Sequence, residues 1–540
     1  MAELSPQTPP AAEPAVKKRG LLGSSAVVGA ATMSSRVLGL VRDVVLAALV
    51  GANSNADAFF VAFKIPNFLR RLFAEGAFAQ AFVPVLSETR ERGGLVAVKA
   101  LIDRVAGVLG GVLLLLTTVT IVASPLVAAL FAPGFTRDPD QLALTADLIK
   151  ITFPYLFFIS MTGFAGGILN SYGRFAVPAF TPVLLNLSLI AAAVWLAPQV
   201  EEPAYALAIG VLVAGATQLL FQLPALYGLG LTPRPRWDLA YPGVRRIMVL
   251  MVPALFGVSV SQINLLLDTV LASLLPAGSV SWLYYSDRLT ELPLGVFAIA
   301  IATVILPALS SQQAKEDADA GSAAFASTLH WALRLVLLIA LPATVALLLL
   351  AEPILVTLFH YGAFSEIDVD QASYSLRAYS LGLCAFMLIK VLAPGFYARQ
   401  DMKTPVRIGI KAMVANMVLN PVFIFPLMWG FNLGHVGLAL ATSASAWLNA
   451  GLLYQGLRQQ GWLKSDGGAT PFWPRLMAAL GLMVVAISVL TPTLEWWLVQ
   501  GAVTRGATMA GIVFAGCAVY LCTLVLLGLR WQDLRGPSVH

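Results

Sequence analysis

Charged residues are scarce in this 540-residue sequence: Asp, Glu, Lys and Arg together make up 11% of it, while 58% of the residues are hydrophobic. A soluble chain contains about a quarter charged residues. It would also divide into several domains at this length, because single hydrophobic cores stop growing near about 250–300 residues. The composition therefore excludes a soluble enzyme, a disulfide-rich secreted protein and a disordered chain, and it favours a polytopic membrane protein.

Cysteine and histidine are rare as well. The three cysteines lie in apolar stretches and the four histidines are scattered, so the sequence has neither a disulfide framework nor a metal-ligand spacing. It also lacks the nucleotide-binding pattern GxxxxGK[ST], which argues against nucleotide hydrolysis. We expect no metal and no cofactor. A membrane potential or an ion gradient remains as the energy source for transport, with sodium or a proton as the coupling cation.

Long apolar runs dominate what is present. A helix needs about 20 residues to cross the hydrocarbon core of a membrane, and on that measure the sequence contains fourteen candidate spans. We predict them at 22–51, 57–87, 99–130, 142–169, 177–198, 203–228, 244–275, 279–309, 325–357, 371–398, 405–428, 433–457, 472–498 and 504–529.

Basic residues indicate the orientation of these spans. If alternate connections face the cytoplasm, twenty Lys and Arg residues fall on the cytoplasmic side and two, Arg137 and Arg505, on the other. The positive-inside rule then places both termini in the cytoplasm. Because topology accounts for most of the basic residues, the net charge of +6 does not indicate a nucleic-acid partner.

The predicted spans divide the chain into six segments. We expect a disordered cytoplasmic tail at the start and a second short tail at the end. Between them we predict a first lobe of six helices, a cytoplasmic linker, a second lobe of six helices and an appended pair of C-terminal helices. In chain order these segments are 1–21, 22–228, 229–243, 244–457, 472–529 and, for the second tail, 530–540.

An internal repeat relates the two predicted lobes. The segment DVVLAALVGANSNADAFF, from Asp43, aligns with DTVLASLLPAGSVSWLYY, from Asp268, with seven of eighteen residues identical and an aromatic pair at the end of each. Chance similarity between apolar helices is the alternative, but it accounts poorly for the shared aspartate and aromatic pairs. A repeat of six helices preserves membrane orientation, so an axis along the membrane normal would relate the lobes, as in transporters that bind substrate at the repeat interface.

Charged side chains inside the predicted spans are the most informative feature of the sequence. Each costs roughly 2.5–3.5 kcal/mol at a helix centre, so a large set persists only if its members face water or one another. The bases are Arg36, Arg42, Lys64, Arg70, Arg71, Arg288 and Lys390, and the acids are Asp43, Asp57, Glu75, Asp268, Asp287 and Glu291.

Two interpretations of this set stay open. Internal ion pairs between helices would account for acids such as Asp43, Glu75 and Asp287. They account less well for the bases, which outnumber the acids and lie deeper in the spans. Arginine is suited to bidentate contacts with phosphate. We therefore predict a cationic cavity for an anionic substrate, with pyrophosphate as the chemically apt group.

The sequence resembles a known family in four stretches: SSRVLGLVRD (34–43), DAFFVAFKIPNFLRRLFAEGAFAQAFVPVL (57–86), YYSDRLTELPLGV (284–296) and LAPGFYARQDMKTP (392–405). These are similar to the MurJ (MviN) lipid II flippases of bacteria, within the multidrug/oligosaccharidyl-lipid/polysaccharide exporter superfamily. The resemblance implies an all-α fold of fourteen transmembrane helices. Two six-helix lobes would surround a central cavity, and two C-terminal helices would line a groove for the lipid tail.

The resemblance also implies a task. It is the transfer of lipid II, the undecaprenyl-pyrophosphate-linked peptidoglycan precursor, from the cytoplasmic to the periplasmic leaflet of the bacterial inner membrane, without enzymatic chemistry. Partners would be lipid II, membrane lipids and the cell-wall synthesis machinery, and the chain would act as a monomer. A flippase for another prenyl-linked glycan is an open alternative. A drug/cation antiporter fits the excess of intramembrane arginine less well. A membrane-embedded glycosyltransferase would need acidic catalytic residues at a membrane face and usually a sizeable extramembrane region, and the sequence shows neither.

Site residues follow from the two lines of reasoning together. Within the family's motifs, the functionally important residues fall on Arg36, Arg42, Arg70 and Arg288, which we expect to bind the substrate. They also fall on the carboxylates Asp43, Asp57 and Glu291, which we expect to close a gate through ion pairs. The residue pattern adds Lys64 and Arg71 to the substrate-binding set, Glu75 and Asp287 to the gating ion pairs, and Asp268 as a possible ion-coupling residue.

Overall fold

The structure is a computed structural model that describes residues 21–71, 78–313, 318–463 and 472–529. Most residues in these ranges are helical, and none of them forms a strand. Residues 1–20 and 530–540, which hold the two predicted tails, lie outside the described residues, and so does the predicted gating residue Glu75.

The first half of the chain, as we name residues 21–227, is a set of packed helices. α1 packs on α7, α2 on α5 and α3 on α6, while α8 lies against α6 and α7. The described helices here are α1 (Leu21–Val50), α2 (Ser54–Leu69), α3 (Phe78–Val122), α4 (Ser124–Phe131), α5 (Pro139–Thr152), α6 (Tyr155–Ser171), α7 (Ala176–Ala191) and α8 (Pro203–Tyr227).

The second half, residues 242–459, packs around one central helix, α14, which contacts α10, α12 and α16. The described helices here are α9 (Pro242–Ser273), α10 (Ser279–Pro293), α11 (Ile299–Gln313), α12 (Ala318–Leu349), α13 (Ala351–Phe359), α14 (Glu366–Tyr397), α15 (Lys403–Phe431) and α16 (Gly434–Gln459).

A C-terminal group of helices packs on the second half through α12 and α13. It consists of α17 (Phe472–Leu490), the short α18 (Leu494–Val499) and α19 (Ala502–Leu526). α17 and α19 lie against each other along their length, and α18 contacts α13. We refer to these three helices as the C-terminal group.

Local sequence signals account for several helix boundaries. Proline occupies the first turn of α5, α8 and α9, where a missing N–H costs nothing. Ser365 and Asp368 form a capping box at the start of α14. Pro293 ends α10, and a widened turn at Leu294–Ala298 follows before α11, because proline removes a helical hydrogen bond. This turn places backbone close to the charged site.

Each of the fourteen predicted spans falls on helix in the described residues, several of them as two helices in line. The predicted helix 57–87 is described only in part, since α2 ends at Leu69 and α3 begins at Phe78. Among described residues, ten helical segments are long and apolar enough to cross a membrane, and α1, α2, α9 and α10 are not among them. The chain is thus an all-helical protein with many apolar helices, while the count of fourteen stays a prediction.

The bundle has two ends. At the α1–α2 end, α1 stops and both α2 and α10 begin; at the linker end, residues 228–241 connect the two halves. This linker lies on α3, where the backbone N–H groups of Arg234 and Arg236 both donate to Asp103. The charge pattern predicts that the α1–α2 end is periplasmic.

Candidate functional site

A buried network of side chains joins the two halves near the α1–α2 end. Arg42 donates to Asp43 Oδ1 at 2.6 and 2.9 Å and to Tyr284 Oη at 3.1 Å. Arg42 also donates to Asn186 Oδ1 at 3.0 Å, which ties α1 to α7. Tyr284 donates to Asp43 Oδ1 at 2.9 Å, and Arg288 Nε lies 3.7 Å from Asp43 Oδ2. The predicted ion pairing of Asp43 is therefore present, and it bridges α1 and α10.

Asp57 of α2 caps the start of α10 from the opposite half. Its Oδ2 accepts a hydrogen bond from the Gly278 N–H at 2.7 Å, and its Oδ1 accepts from the Ser281 N–H at 2.8 Å and from the Ser281 hydroxyl at 2.5 Å. The first N–H groups of a helix lack intrahelical partners and favour a carboxylate. The expected ion pair of Asp57 is thus replaced, in the described residues, by a helix cap that likewise links the halves.

The aromatic pairs matched by the internal repeat meet at this same place. Phe60 stacks on Tyr284 with ring centroids 4.1 Å apart and lies edge-on to Tyr285 at 5.6 Å. Equivalent segments of the repeat therefore face each other. We name this contact the seam, made by Arg42, Asp43, Asp57 and Phe60 from the first half and Gly278, Ser281, Tyr284, Tyr285 and Arg288 from the second.

Arg36 and Lys64 lie farther from the α1–α2 end than the seam. The Arg36 guanidinium covers Gly295 in the widened turn, since a Cβ at that glycine would lie 1.6 Å from Arg36 Nη1. Lys64 of α2 is half-buried and interacts electrostatically with Asp287 and Asp268. Neither base has an ion-pair partner within 4 Å among the described residues. Their charges are therefore not cancelled by a direct carboxylate contact there.

α10 extends the charged surface below the seam. Arg288 Nη1 pairs with Glu291 Oε2 at 3.0 Å, as their i, i+3 spacing on one helix allows. Asp287 interacts electrostatically with Glu291, Arg288, Lys64 and Arg71. The side chains of Arg288 and Glu291 are 34% and 44% exposed. These two side chains are therefore not enclosed by the surrounding protein.

The remaining predicted bases differ in their surroundings. Arg70, at the end of α2, donates from Nε to Asn67 Oδ1 at 3.3 Å, and Arg71 is exposed. Arg42, by contrast, is only 5% exposed because Asp43 and its other partners cover it. Arg42 could therefore bind an anion only in a state in which the seam has opened.

Asp268, the repeat equivalent of Asp43, lies in a polar cluster inside the second half. Its Oδ1 accepts from Asn420 at 3.3 Å and its Oδ2 from Thr442 at 3.4 Å, while Asn420 also donates to Asn416 at 3.0 Å. Asn420 Oδ1 is buried without a hydrogen-bond partner. Oxygen atoms of this kind suit a small hard cation. Sequence reasoning found Asp268 but missed the other three, for which the asparagines one helical turn apart on α15 were the available signal.

A cavity of about 400 Å³ adjoins the Asp268 cluster. It lies between α9, α14, α15 and α16 and is lined from Tyr397 and Pro405, near the linker end, to Thr442. Asn264 and Asn449 add polar atoms to otherwise mostly apolar walls. Because Thr442 belongs both to the cavity wall and to the cluster, the cavity provides a route by which a small ion could approach Asp268.

Taken together, many apolar helices, bases that lack a carboxylate contact in the described residues and a polar seam between the two halves define a multi-pass membrane transporter rather than an enzyme. Solved structures agree with this class. The chain matches a structure titled "Lipid II flippase MurJ, inward closed conformation" with a TM-score of 0.76 at 26% identity, covering 94% of this chain and 99% of that one. It also shares its fold with an inward-facing multidrug resistance MATE family transporter, at a TM-score of 0.63 and 16% identity, covering 82% of this chain and 100% of that one.

Sequence comparison identifies the family. The family model described as lipid II flippase MurJ matches residues 46–508. The "Probable lipid II flippase MurJ" of Vibrio cholerae is 52% identical over 533 residues, which is 97% of this chain and 99% of that protein. The "Lipid II flippase MurJ" of Burkholderia cenocepacia is 41% identical, over 93% of this chain and 97% of that protein. The chain belongs to the lipid II flippase MurJ family, and it is a multi-pass protein of the inner membrane.

Proposed function

We propose that this chain carries lipid II from the cytoplasmic to the periplasmic leaflet by alternating access. The observation that carries the proposal is the group of bases on the accessible side of the seam, of which Arg36 and Lys64 have no carboxylate within ion-pair distance among the described residues. Guanidinium groups bind phosphate oxygens in a bidentate manner. A pyrophosphate headgroup would therefore bind between α1, α2 and α10, by contact with Arg36, Lys64, Arg70, Arg71 and Arg288.

The proposed architecture for this task has fourteen transmembrane helices, with both termini in the cytoplasm. Two lobes of six spans, 22–228 and 244–457, would surround the substrate cavity, joined by the linker 229–243. The C-terminal spans at 472–529 would line a groove for the prenyl chain. The contact between repeat-equivalent aromatic pairs supports the lobe arrangement, and the bias of basic residues supports the orientation.

Opening toward the periplasm would require the seam to separate. Breaking a buried ion pair leaves charges without partners and is costly unless something replaces the lost partner. The contact between Arg288 and Asp43, at 3.7 Å, is the longest in the network. A pyrophosphate near Arg288 would compete with Asp43 for this guanidinium, and then for Arg42. Substrate binding would thereby lower the cost of parting α1 from α10.

The driving force would come from a cation bound at the Asp268 cluster. One elementary charge moved through 100 mV of membrane potential gives about 2.3 kcal/mol. Asp268 supplies the negative charge, while Asn420 Oδ1 and Thr442 Oγ1 add neutral oxygen ligands. Sodium would use all of these oxygens, whereas a proton would need only the carboxylate. The sodium dependence of the melting temperature, compared between the parent and Asp268→Asn, tests whether sodium is the coupling cation.

Action as a monomer and contact with the cell-wall synthesis machinery both stay predictions. The direct experiment is depletion of the protein in cells, followed by measurement of labelled lipid II on the periplasmic side. We expect lipid II to become inaccessible there, and the intact chain to restore access. An Arg36→Ala variant should insert normally and fail to restore it.

Two outcomes would contradict this proposal. Normal lipid II access in cells that carry only Arg36→Ala would remove the cationic cavity from the mechanism. Unchanged lipid II access after depletion, together with loss of another prenyl-linked glycan from the outer leaflet, would favour the alternative substrate. Both prenyl-linked substrates carry pyrophosphate, so the site chemistry alone does not separate them.

A further inference from the structure

Arg505, at the start of α19, is a buried cation that the transport site does not use. Its position after the thirteenth predicted span suggested a residue in an outward connection, yet it is only 5% exposed. Its ring neighbour is Tyr361, with the guanidinium carbon 5.6 Å from the ring centroid. No carboxylate in the described part of the chain lies within ion-pair distance of it.

Backbone carbonyl groups from two different helices surround the Arg505 guanidinium. Nε donates to the Trp497 carbonyl and Nη2 to the Leu498 carbonyl, both at 2.8 Å, at the end of α18. Nη1 donates to His360 at 3.2 Å and to Val356 at 3.4 Å, at the end of α13. The last carbonyls of a helix lack intrahelical partners and favour a cation. Arg505 therefore fastens the end of α13 to the C-terminal group.

The loop that follows α13, residues 360–364, rests directly on the end of α1 in the other half. The Ala363 N–H donates to the Ala48 carbonyl at 2.9 Å. Gly362 has φ +58°, and a Cβ there would lie 2.2 Å from the Ala48 oxygen, so only glycine permits this approach. Phe364 packs edge-on against Tyr285 of the seam at 5.4 Å.

These contacts form a continuous chain from α19 to the seam. Arg505 binds the His360 carbonyl, and His360 Nδ1 lies 3.1 Å from the Phe364 carbonyl. We propose that Arg505 is a positioning residue that holds loop 360–364 against α1, so that the C-terminal group helps to keep the α1–α2 end closed. The inference rests on the proposed alternating access, because it concerns the equilibrium between closed and open seams.

The test measures that equilibrium directly. Spin labels are placed at positions 201 and 367, which are exposed on opposite halves at the α1–α2 end. The distance between the two labels is measured by pulsed electron paramagnetic resonance in lipid nanodiscs. The background lacks Cys384, Cys517 and Cys522. We expect Arg505→Met to increase the fraction of long distances about tenfold or more, because the variant loses both Nη1 hydrogen bonds of this charged donor to the end of α13.

Tyr520→Phe is the matched control. Tyr520 lies in α19 and donates to the Leu338 carbonyl of α12 at 2.8 Å, so its loss weakens the attachment of the C-terminal group without touching loop 360–364. We expect Tyr520→Phe to leave the distance distribution unchanged. A parental distribution in Arg505→Met, or an equal shift in Tyr520→Phe, would overturn the assignment.

A second pair of variants decides the matter if Arg505→Met does not insert. Arg505→Lys keeps one cation but fewer donors, and Gly362→Ala disturbs the loop from its other side. If Arg505 acts through the loop, the double variant Arg505→Lys/Gly362→Ala should increase the open fraction no more than the single variant with the larger effect. Additive increases in the open fraction would overturn the proposal. A parent that never opens, even with added lipid II, would refute alternating access instead, whatever the variants show.

Discussion

Asp43 and Asp268 stand at equivalent positions of the internal repeat, and their surroundings differ in one decisive respect. Asp43 is held by Arg42 and approached by Arg288, so its charge is matched inside the protein. Asp268 is held by an amide and a hydroxyl, with no base within ion-pair distance in the described residues. Both halves place asparagine beside the site, Asn186 on α7 and Asn420 on α15.

The comparison shows how two aligned aspartates, one in each half, can serve two purposes. A buried carboxylate needs compensation, either from a paired charge or from hydrogen bonds. In the first half a guanidinium provides this compensation, and the resulting network links the two halves. In the second half neutral donors provide it, and one negative charge remains for a cation from outside. One arginine next to the repeated aspartate accounts for the difference.

Removal of that arginine should have the largest effect. Arg42→Gln would leave Asp43 buried with its nearest base 3.7 Å away, and breaking a buried pair in this way costs about 3–5 kcal/mol. We expect lipid II access in complemented cells to fall at least about a hundredfold. Arg42→Lys, which keeps the charge, should lose less. Equal activity of Arg42→Gln and the parent would show that transport does not require the Arg42–Asp43 ion pair.

Asp57→Ala ranks second because its partners are uncharged. The change leaves the Gly278 and Ser281 donors without an acceptor, at about 1–3 kcal/mol for each buried group. We expect the open fraction at the α1–α2 end to rise about tenfold or more, measured with labels at 201 and 367. Ser281→Ala, which removes one of the three hydrogen bonds, should give a smaller shift. A larger shift in Ser281→Ala than in Asp57→Ala would contradict the cap.

Asp268→Asn tests the other side of the comparison. If sodium binds there, it should stabilise the purified parent against unfolding by about 1.4 kcal/mol at tenfold its dissociation constant. Asp268→Asn should abolish this stabilisation, and Asp43→Asn should retain it. The readout is the sodium dependence of the melting temperature. Loss of the response in Asp43→Asn alone would reverse the two roles.

Glu88→Gln should have the smallest effect. Glu88 of α3 joins Arg246 of α9 at 2.5 Å and Arg92 at 2.7 Å, at the linker end. The Arg246 side chain is 57% exposed, and exposed ion pairs contribute less than about 1 kcal/mol. We expect transport within about threefold of the parent, with unchanged label distances at the α1–α2 end. A change in the label distances as large as that of Asp57→Ala would mean that the linker end is the stronger closure.

Hydropathy and charge placement predicted much of the fold because both act locally. In the described residues each predicted span falls on helix, and the Arg288–Glu291 pair follows from helical spacing alone. The partners of Asp57 could not be predicted, because they are backbone groups more than two hundred residues away with no side-chain signature. The partners of Arg505 could not be predicted for the same reason, since they are backbone carbonyls of α13 and α18.

The burial of the Asp57 cap has a consequence for cells under osmotic stress. Dissolved ions screen exposed charges over about 8 Å at physiological ionic strength, and far less inside a packed interface. A rise in cytoplasmic salt would therefore weaken the Glu88–Arg246 contact while the 1%-exposed Asp57 stays capped. Under the proposed alternating access, dehydration would therefore favour opening at the linker end over opening at the α1–α2 end, by no more than the about threefold effect expected of Glu88→Gln.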